Sequence, residues 1–175
     1  MTFKLAFKYL LRLFLLALLA ISIYLVNLFF MKPFSIDHFL AKETFLEIID
    51  SPESMTYIGI FDKYNWFTGH ASKLTIPSQK QLDRDKAKAR KILETLRSYD
   101  DENLSSIQRA SKKIAIFDTE NTLLRLEAFP FHNYVLNQIG GAHIDMVEFM
   151  TDTHPIRNLS EAKAYIDRVR LFENV

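Results

Sequence analysis

The longest apolar stretch of the chain is residues 13–31, which contain no charged side chain. Nineteen residues of α-helix are about 28 Å long, which is close to the thickness of a bilayer's hydrocarbon core. A buried core helix is the alternative, but such helices usually keep a polar face or are shorter. The stretch therefore predicts a transmembrane anchor, whose apolar positions include Leu13, Leu16, Leu19, Ile23, Val26 and Phe30.

After this span, capping residues and apolar positions at helical spacing predict more helices. Ser35 is placed to cap a helix over residues 36–50, and a short helix follows, with Ser51 as its cap and Gly59 as its stop. Ser78 begins a charged helix that reaches about residue 99. Its narrow apolar stripe comprises Leu82, Ala89, Ile92, Leu93 and Leu96.

Three further helices are predicted in the last part of the chain. Ser105 and Gln108 have the spacing of a capping box and start a helix that reaches about residue 127, residues 144–150 form a short helix, and Ser160 caps the last one. On the first of these, one stripe carries Ile107, Ala110, Ile114, Phe117, Asn121 and Leu124, and on the last, one face carries Tyr165, Ile166, Val169 and Phe172. The stripe of the last helix requires a partner that this chain does not obviously supply. No alternation typical of β-strands is visible, so the predicted fold class is all-α.

Residues 60–77 are rich in aromatic side chains without a regular period. Phe61, Tyr64, Trp66 and Phe67 could form a surface on which a ligand stacks. We favour the alternative, a loop pinned to the core by its rings, because buried rings remove a large apolar area from water.

The charge distribution predicts how the anchor is oriented. Lys4, Lys8 and Arg12 precede the span, and the first acidic residue is Asp37. Four of the 22 basic residues precede Pro33 and all 21 acidic residues follow it, so residues 33–175 carry a net formal charge of −3. The positive-inside rule then leaves residues 1–12 in the cytoplasm, with 13–31 crossing the inner membrane once and 33–175 outside the cytoplasm.

A cleaved secretory signal is the competing interpretation of the N-terminus. It is disfavoured because the apolar run is long for a signal peptide and has no A-x-A pattern at its end. The mildly acidic body argues against a nucleic-acid partner, which requires a concentrated basic face.

The sequence contains no motif that indicates catalysis. It has no cysteine, and none of its five histidines lies in H-E-x-x-H or has a second histidine three or four residues away. No nucleophile elbow, P-loop or dinucleotide-binding motif is present. We therefore predict no catalytic residue, no metal ligand and no cofactor in this chain.

Three segments, taken in order, resemble the bacterial family known as domain of unknown function 885. The residues that carry the resemblance are Ser51, Pro52, Glu53, Thr56 and Gly59; Tyr134, Asn137, Gln138, Gly140 and Gly141; and His154, Pro155, Ile156, Ala162, Tyr165, Ile166 and Arg168. The resemblance covers most of residues 50–172 and implies a helical, exported or membrane-tethered protein. Longer relatives look like zinc-dependent peptidases, with their metal motif far downstream.

The resemblance implies that residues 33–175 are the N-terminal part of a longer, here incomplete, multi-helix domain. Tyr134, Asn137, Gln138 and Arg168 are candidate cleft-lining residues; the alternative is that they satisfy backbone groups inside the helical packing. One hypothesis is a membrane-anchored N-terminal segment, from a truncated or split gene, whose domain a second polypeptide completes. The other is a stand-alone, non-catalytic membrane-tethered interaction protein. The bilayer is the partner in both.

Overall fold

The computed structural model describes residues 2–130 and 140–174. Within these ranges the chain is helical and contains no β-strand, which confirms the all-α prediction. The helices are α1 (Thr2–Phe30), α2 (Ile36–Asp50), α3 (Pro52–Ile58), α4 (Asn65–Thr68), α5 (Gln79–Arg97), α6 (Ser106–Ala128), α7 (Ala142–Glu148) and α8 (Leu159–Val169). Short 3₁₀ turns at Asp62–Tyr64, His70–Ser72, Asp101–Asn103 and Arg170–Asn174, and a π-helical turn at Phe149–Thr153, connect or extend them.

Four of the eight α-helices in the described part of the chain start at the caps that the sequence predicts. Ser35, Ser51 and Ser78 each accept a hydrogen bond from a backbone N–H in the first turn of the next helix. Ser105 and Gln108 form both hydrogen bonds of a capping box.

The last helix corrects one of these predictions. Asn158, and not Ser160, is the N-cap of α8, because its side-chain oxygen accepts the N–H of Glu161 and its own backbone is extended. The helix therefore begins at Leu159, so that Ser160 lies inside its first turn.

The apolar N-terminal helix is longer than residues 13–31. Its 29 residues extend about 44 Å, which exceeds the roughly 30 Å hydrocarbon thickness of a bilayer. One segment of it, Phe7–Phe30, is long and apolar enough to cross a membrane, and only 6% of its most apolar window is buried against the rest of the protein. Its apolar side chains therefore do not belong to the core of the body.

The core of the body lies where α2 packs across α5 and α6. Ile36 and Phe39 from α2 meet Leu96 and Tyr99 at the end of α5, and all four are buried. Two salt bridges connect α5 to α6, Arg90–Glu127 and Arg97–Glu120. The residue number increases along α5 while that of the partner on α6 decreases, so these two helices are antiparallel.

The apolar stripe that the sequence predicts on α6 does not pack on the core. Ile107 and Phe117 are 77% and 69% exposed, and Ile114 and Leu124 are also exposed. The side that packs on the core carries Ala115, Ile116 and the buried Lys112 instead. Lys112 satisfies its ammonium group there, by donating to the Tyr99 carbonyl at 2.5 Å and to Asp101 at 2.7 Å.

The side of α8 that packs on the body carries Ala164 and Arg168, which are both buried, whereas Ile166 and Val169 are exposed. The prediction that rings pin the aromatic segment to the core is wrong. In the aromatic segment Trp66 and Phe67 are 83% and 79% exposed, and their rings contact each other edge to face. The buried residues that hold this segment are His70 and Ala71, which lie just after α4.

Asn27 joins α1 to the body. It is buried in the last turn of α1, where its side-chain amide donates to the Lys32 carbonyl at 2.8 Å and accepts the Phe34 N–H at 3.0 Å. The Tyr99 hydroxyl donates to the Pro33 carbonyl at 2.7 Å, and burial raises the pKa of Tyr99 to about 12, so it remains protonated. These hydrogen bonds set the direction in which the chain leaves α1.

Asn27→Ala is expected to loosen the connection between the end of α1 and the body. Loss of both side-chain hydrogen bonds leaves two partly buried backbone groups unpaired, at a cost of about 1 kcal/mol or more, which corresponds to at least roughly fivefold faster hydrogen exchange at the Phe34 amide. Hydrogen–deuterium exchange of full-length protein in detergent measures this rate. Ser22→Ala is the control, because Ser22 is exposed and bonds only the Leu18 carbonyl of its own helix; equal acceleration in both variants would contradict the role of Asn27.

Candidate functional site

Arg168 is the centre of a polar cluster inside the body. It lies on α8 four residues after Ala164, so the two share the buried face of the helix, and its side chain is 0% exposed. The guanidinium donates from Nε to the Lys73 carbonyl at 2.7 Å and from Nη1 to Thr56 Oγ1 at 3.1 Å. Nη2 donates to the carbonyls of Pro52, at 3.5 Å, and His70. One side chain therefore ties α8 to α3 and to the segment after α4.

The charge of Arg168 is retained despite its burial. Burial lowers the pKa of Arg168 to about 10, against the opposing effect of the Glu53 carboxylate, so the guanidinium is protonated at neutral pH. It also lies 5.0 Å from the centroid of the Phe149 ring, which favours a cation over its face.

Glu53 is held beside this cluster by hydrogen bonds. Its carboxylate accepts the backbone N–H and the hydroxyl of Thr75, at 2.6 and 2.7 Å, and the hydroxyl of Ser51 at 3.1 Å. Burial alone would raise the pKa of Glu53, but these hydrogen bonds outweigh it and hold the pKa below its ordinary value. Glu53 is therefore an anchored anion at neutral pH.

A cleft of about 370 Å³ lies next to Glu53, between α3 and α7. Its walls combine three carboxylates with apolar side chains: Glu53, Asp145, Glu148, Tyr57, Leu74, Met146 and Phe149. Arg168 is not among the lining residues, but its guanidinium contacts the ring of Phe149, which is one of them. The cleft has the chemistry to bind a ligand that joins a positive charge to an apolar part.

Two buried histidines lie close to Arg168. The Nδ1 of His70 is 2.7 Å from Thr68 Oγ1, and its Nε2 is 3.6 Å from Asp62 Oδ1. The other oxygen of Asp62 pairs with Arg157 at 2.5 Å. Burial lowers the pKa of His70, with Asp62 opposing and Arg168 reinforcing the effect. Neutral His70 is therefore favoured in the folded state.

His154, the second of these histidines, also connects two segments of the chain. Its Nε2 lies 3.0 Å from the Ala71 carbonyl and its Nδ1 lies 3.0 Å from the Pro155 carbonyl, and its ring contacts Tyr165 edge to face. These contacts fix the turn before α8 against the segment that contains His70.

The described residues do not fit a zinc site. Residues 2–130 and 140–174 contain no group of three or more His, Asp or Glu side chains placed to hold a metal ion. The ring nitrogens of His70 face Thr68 and Asp62, and those of His154 face backbone carbonyls. Neither histidine lines the cleft that contains the three carboxylates.

Of the four candidate cleft-lining residues, the structure describes Arg168 alone. Arg168 lies at the centre of the cluster, where it satisfies backbone carbonyls, whereas Tyr134, Asn137 and Gln138 lie outside the described residues. Glu53, Thr56 and His154 belong to the segments that carry the family resemblance and were given no individual role. The structure brings parts of the first and third segments together around one guanidinium.

His70, Thr75 and Asp62 were missed by the sequence analysis. They lie in the irregular stretch after α3, where the apolar residues follow no regular period from which a buried face could be predicted. The feature that could have found them is the buried arginine itself, because a guanidinium inside a helical body needs acceptors from outside its own helix.

Comparison with known proteins identifies a family and no characterised relative. The model of a family described as bacterial proteins of unknown function (DUF885) matches residues 52–175, a range that contains Glu53, Thr56, His70, His154 and Arg168. No curated protein and no solved structure matches the chain.

Removing the guanidinium is expected to destabilise the whole body. Arg168→Met leaves the carbonyls of Lys73, Pro52 and His70 without their donor, and we expect the free energy of unfolding to fall by about 3 kcal/mol or more. Arg168→Lys should also be destabilised, because an ammonium cannot reproduce the planar set of donors. Denaturant unfolding of the full chain in detergent measures both.

The control is Arg170→Met, two residues further along. Arg170 is exposed, and its ion-pair partner within residues 2–130 and 140–174 is the surface residue Asp167, so its loss is expected to change stability by less than about 1 kcal/mol. Equal losses at positions 168 and 170 would contradict the structural role of Arg168.

His70 is expected to make stability depend on pH. Because the pKa of His70 in the folded protein is below its ordinary value of 6.5, the unfolded chain binds more protons, so stability is complete above pH 6.5 and declines as the pH falls toward 5. Glu53 acts in a separate window below pH 4.5, because its folded pKa is also lowered.

The measurement is the free energy of unfolding between pH 7.5 and 5. His70→Asn removes the titrating group and should flatten the slope, whereas His143→Asn, at an exposed position, should leave it unchanged. A slope that persists in His70→Asn would show that another group causes it.

Proposed function

Because the chain belongs to the bacterial DUF885 family, we propose that it is a membrane-anchored helical module of that family. In this proposal α1 crosses the membrane, and residues 33–175 form the amino-terminal part of a longer family domain outside the cytoplasm. The observation that carries the proposal is the exposure of α1, whose apolar residues stay outside a body that has its own core.

The exposure of α1 argues against a core helix. A helix of this length with nearly all its apolar side chains in water would be strongly unfavourable, and a bilayer removes that cost. A signal sequence would have the same composition. An uncleaved anchor is favoured by the buried Asn27 and the hydrogen bonds of Pro33 and Phe34, which join the end of α1 to the body.

The orientation follows from charge. Lys4, Lys8 and Arg12 lie at the start of α1, whereas the region after it contains both signs of charge, which favours a cytoplasmic N-terminus. The division into residues 1–12, 13–31 and 33–175 stays a prediction, and so does the absence of a nucleic-acid partner.

The peptidase chemistry of longer relatives, as the resemblance implies it, needs groups that the described residues do not supply. Its metal ligands would have to come from elsewhere in a completed domain. A second polypeptide is the partner we infer for this completion, and the exposed stripe of α6, formed by Ile107, Ile114, Phe117 and Leu124, is the apolar surface that supports it.

A stand-alone interaction protein is the second candidate. The observation that favours it is the self-contained packing of α2, α5 and α6 around Ile36, Phe39, Leu96 and Tyr99. Under this function the same exposed stripe of α6 binds another envelope protein, and no metal enters the complex.

The anchor and its orientation are tested together. The full chain should remain in the membrane fraction after alkaline carbonate extraction, and an alkaline phosphatase reporter fused after Val175 should be active, because that reporter folds only outside the cytoplasm. Leu19→Arg places a charge at the centre of α1, costs roughly 2.5–3.5 kcal/mol of insertion free energy, and should shift protein into the soluble fraction.

The control is Leu74→Arg, a change to the same residue type in the body, which should stay in the membrane fraction. A silent reporter would contradict the orientation, and extraction of the unchanged chain by carbonate would contradict the anchor.

A further inference from the structure

A cleft lies where the end of α1 meets the body. It encloses about 730 Å³ between the last turn of α1, one side of α2 and the middle of α5. Its apolar wall is formed by Phe29, Phe39, Leu46 and Ile92. Its rim contains the lysines Lys32, Lys42, Lys88 and Lys91, which come from three separate parts of the chain.

The rim has an excess of positive charge. Two carboxylates also line the cleft, and both are already paired: Glu43 with Lys42 at 2.8 Å, and Asp50 with Lys88 at 3.1 Å. The four lysines therefore leave a formal excess of two positive charges. Lys91 has no carboxylate partner within the described part of the chain.

Lys32 closes one end of the cleft. Its ammonium donates to the Ser98 carbonyl at 2.7 Å and lies 4.4 Å from the centroid of the Tyr99 ring, which is part of the core. The rim is thus attached to the folded body and does not depend on free side chains alone.

A second, narrower groove continues the apolar wall toward α1. It encloses about 230 Å³ between α1 and α2, and Phe29 and Lys42 line both spaces. Tyr24 and Leu28 form its α1 side, while Ala41 and Phe45 form its α2 side. An apolar track therefore leads from the lysine rim along the surface of α1.

We propose that this pair of spaces binds an anionic phospholipid, with its phosphate at Lys88 and Lys91 and one acyl chain along Phe29 and the α1 groove. The inference rests on the proposed function, because it requires α1 to cross the bilayer. Lys32 follows the last helical residue of α1 by two positions, so this end of the rim lies at the depth of the lipid headgroups. Clustered lysines at that depth attract anionic lipid, and the aliphatic parts of the lysine side chains cover the apolar wall.

The test uses the full chain in a neutral detergent and measures its melting temperature. Phosphatidylglycerol should raise it in a saturable manner. Phosphatidylcholine, which has no net charge, and inorganic phosphate, which has no acyl chain, should have little effect. Equal stabilisation by the two lipids would overturn the role of the lysines, and equal stabilisation by inorganic phosphate would overturn the role of the apolar groove.

Charge-reversal variants test whether the lipid phosphate binds at the lysine rim. Lys91→Glu should weaken the apparent affinity for phosphatidylglycerol severalfold, and Lys88→Glu combined with Lys91→Glu should weaken it tenfold or more. Lys80→Glu combined with Lys113→Glu makes the same change of charge at exposed positions away from the cleft and should leave the affinity unchanged. Equal loss in both double variants would reduce the effect to net charge and overturn the proposal.

Two further measurements separate the causes of failure. Melting without lipid shows whether a variant still folds, and Lys91→Glu removes no native ion pair within the described residues. Flotation of the full chain with phosphatidylcholine vesicles tests the anchor alone. Flotation without a phosphatidylglycerol shift would overturn the lipid site and leave the anchor standing, whereas failure to float would overturn the proposed function itself.

Discussion

A guanidinium with no exposed surface must find hydrogen-bond acceptors inside the protein, and the family-matched region is arranged around that requirement. Arg168 takes its acceptors from Pro52, Thr56, His70 and Lys73, which belong to the beginning of this region. The irregular segment after α3 has few buried apolar side chains of its own. These hydrogen bonds compensate for that shortage by holding the segment in place. The acidic cleft adjoins the same cluster, because Phe149 lines the cleft and contacts the guanidinium of Arg168.

The body thus has two differently built parts. Around α2, α5 and α6 the packing is apolar, centred on Ile36 and Leu96, and it is joined to α1 through Asn27. Around α8 the packing depends on polar groups that satisfy one another. The family match covers residues 52–175, so it includes the polar cluster but neither α1 nor α2. Helices α1 and α2 therefore lie outside the part of the chain that the family model covers.

The exposed apolar surfaces have different partners in our proposals. The bilayer covers α1, and a lipid enters the cleft where α1 meets α2 and α5. The stripe on α6 faces away from its own core, and we assign it to a second polypeptide. Trp66 and Phe67 form a further exposed pair on the segment held by His70, to which no role is assigned.

The sequence alone determined the features that depend on neighbouring residues. Caps and helix breaks act within one or two turns, so Ser35, Ser51, Gly59 and the Ser105–Gln108 box were predicted correctly. The buried side of α6 was not, because a helix with apolar residues on two sides buries the one that its neighbour contacts. The Arg168 cluster was beyond reach for the same reason: Thr56 and Arg168 are separated by 112 positions, and only tertiary folding brings a donor to such distant acceptors.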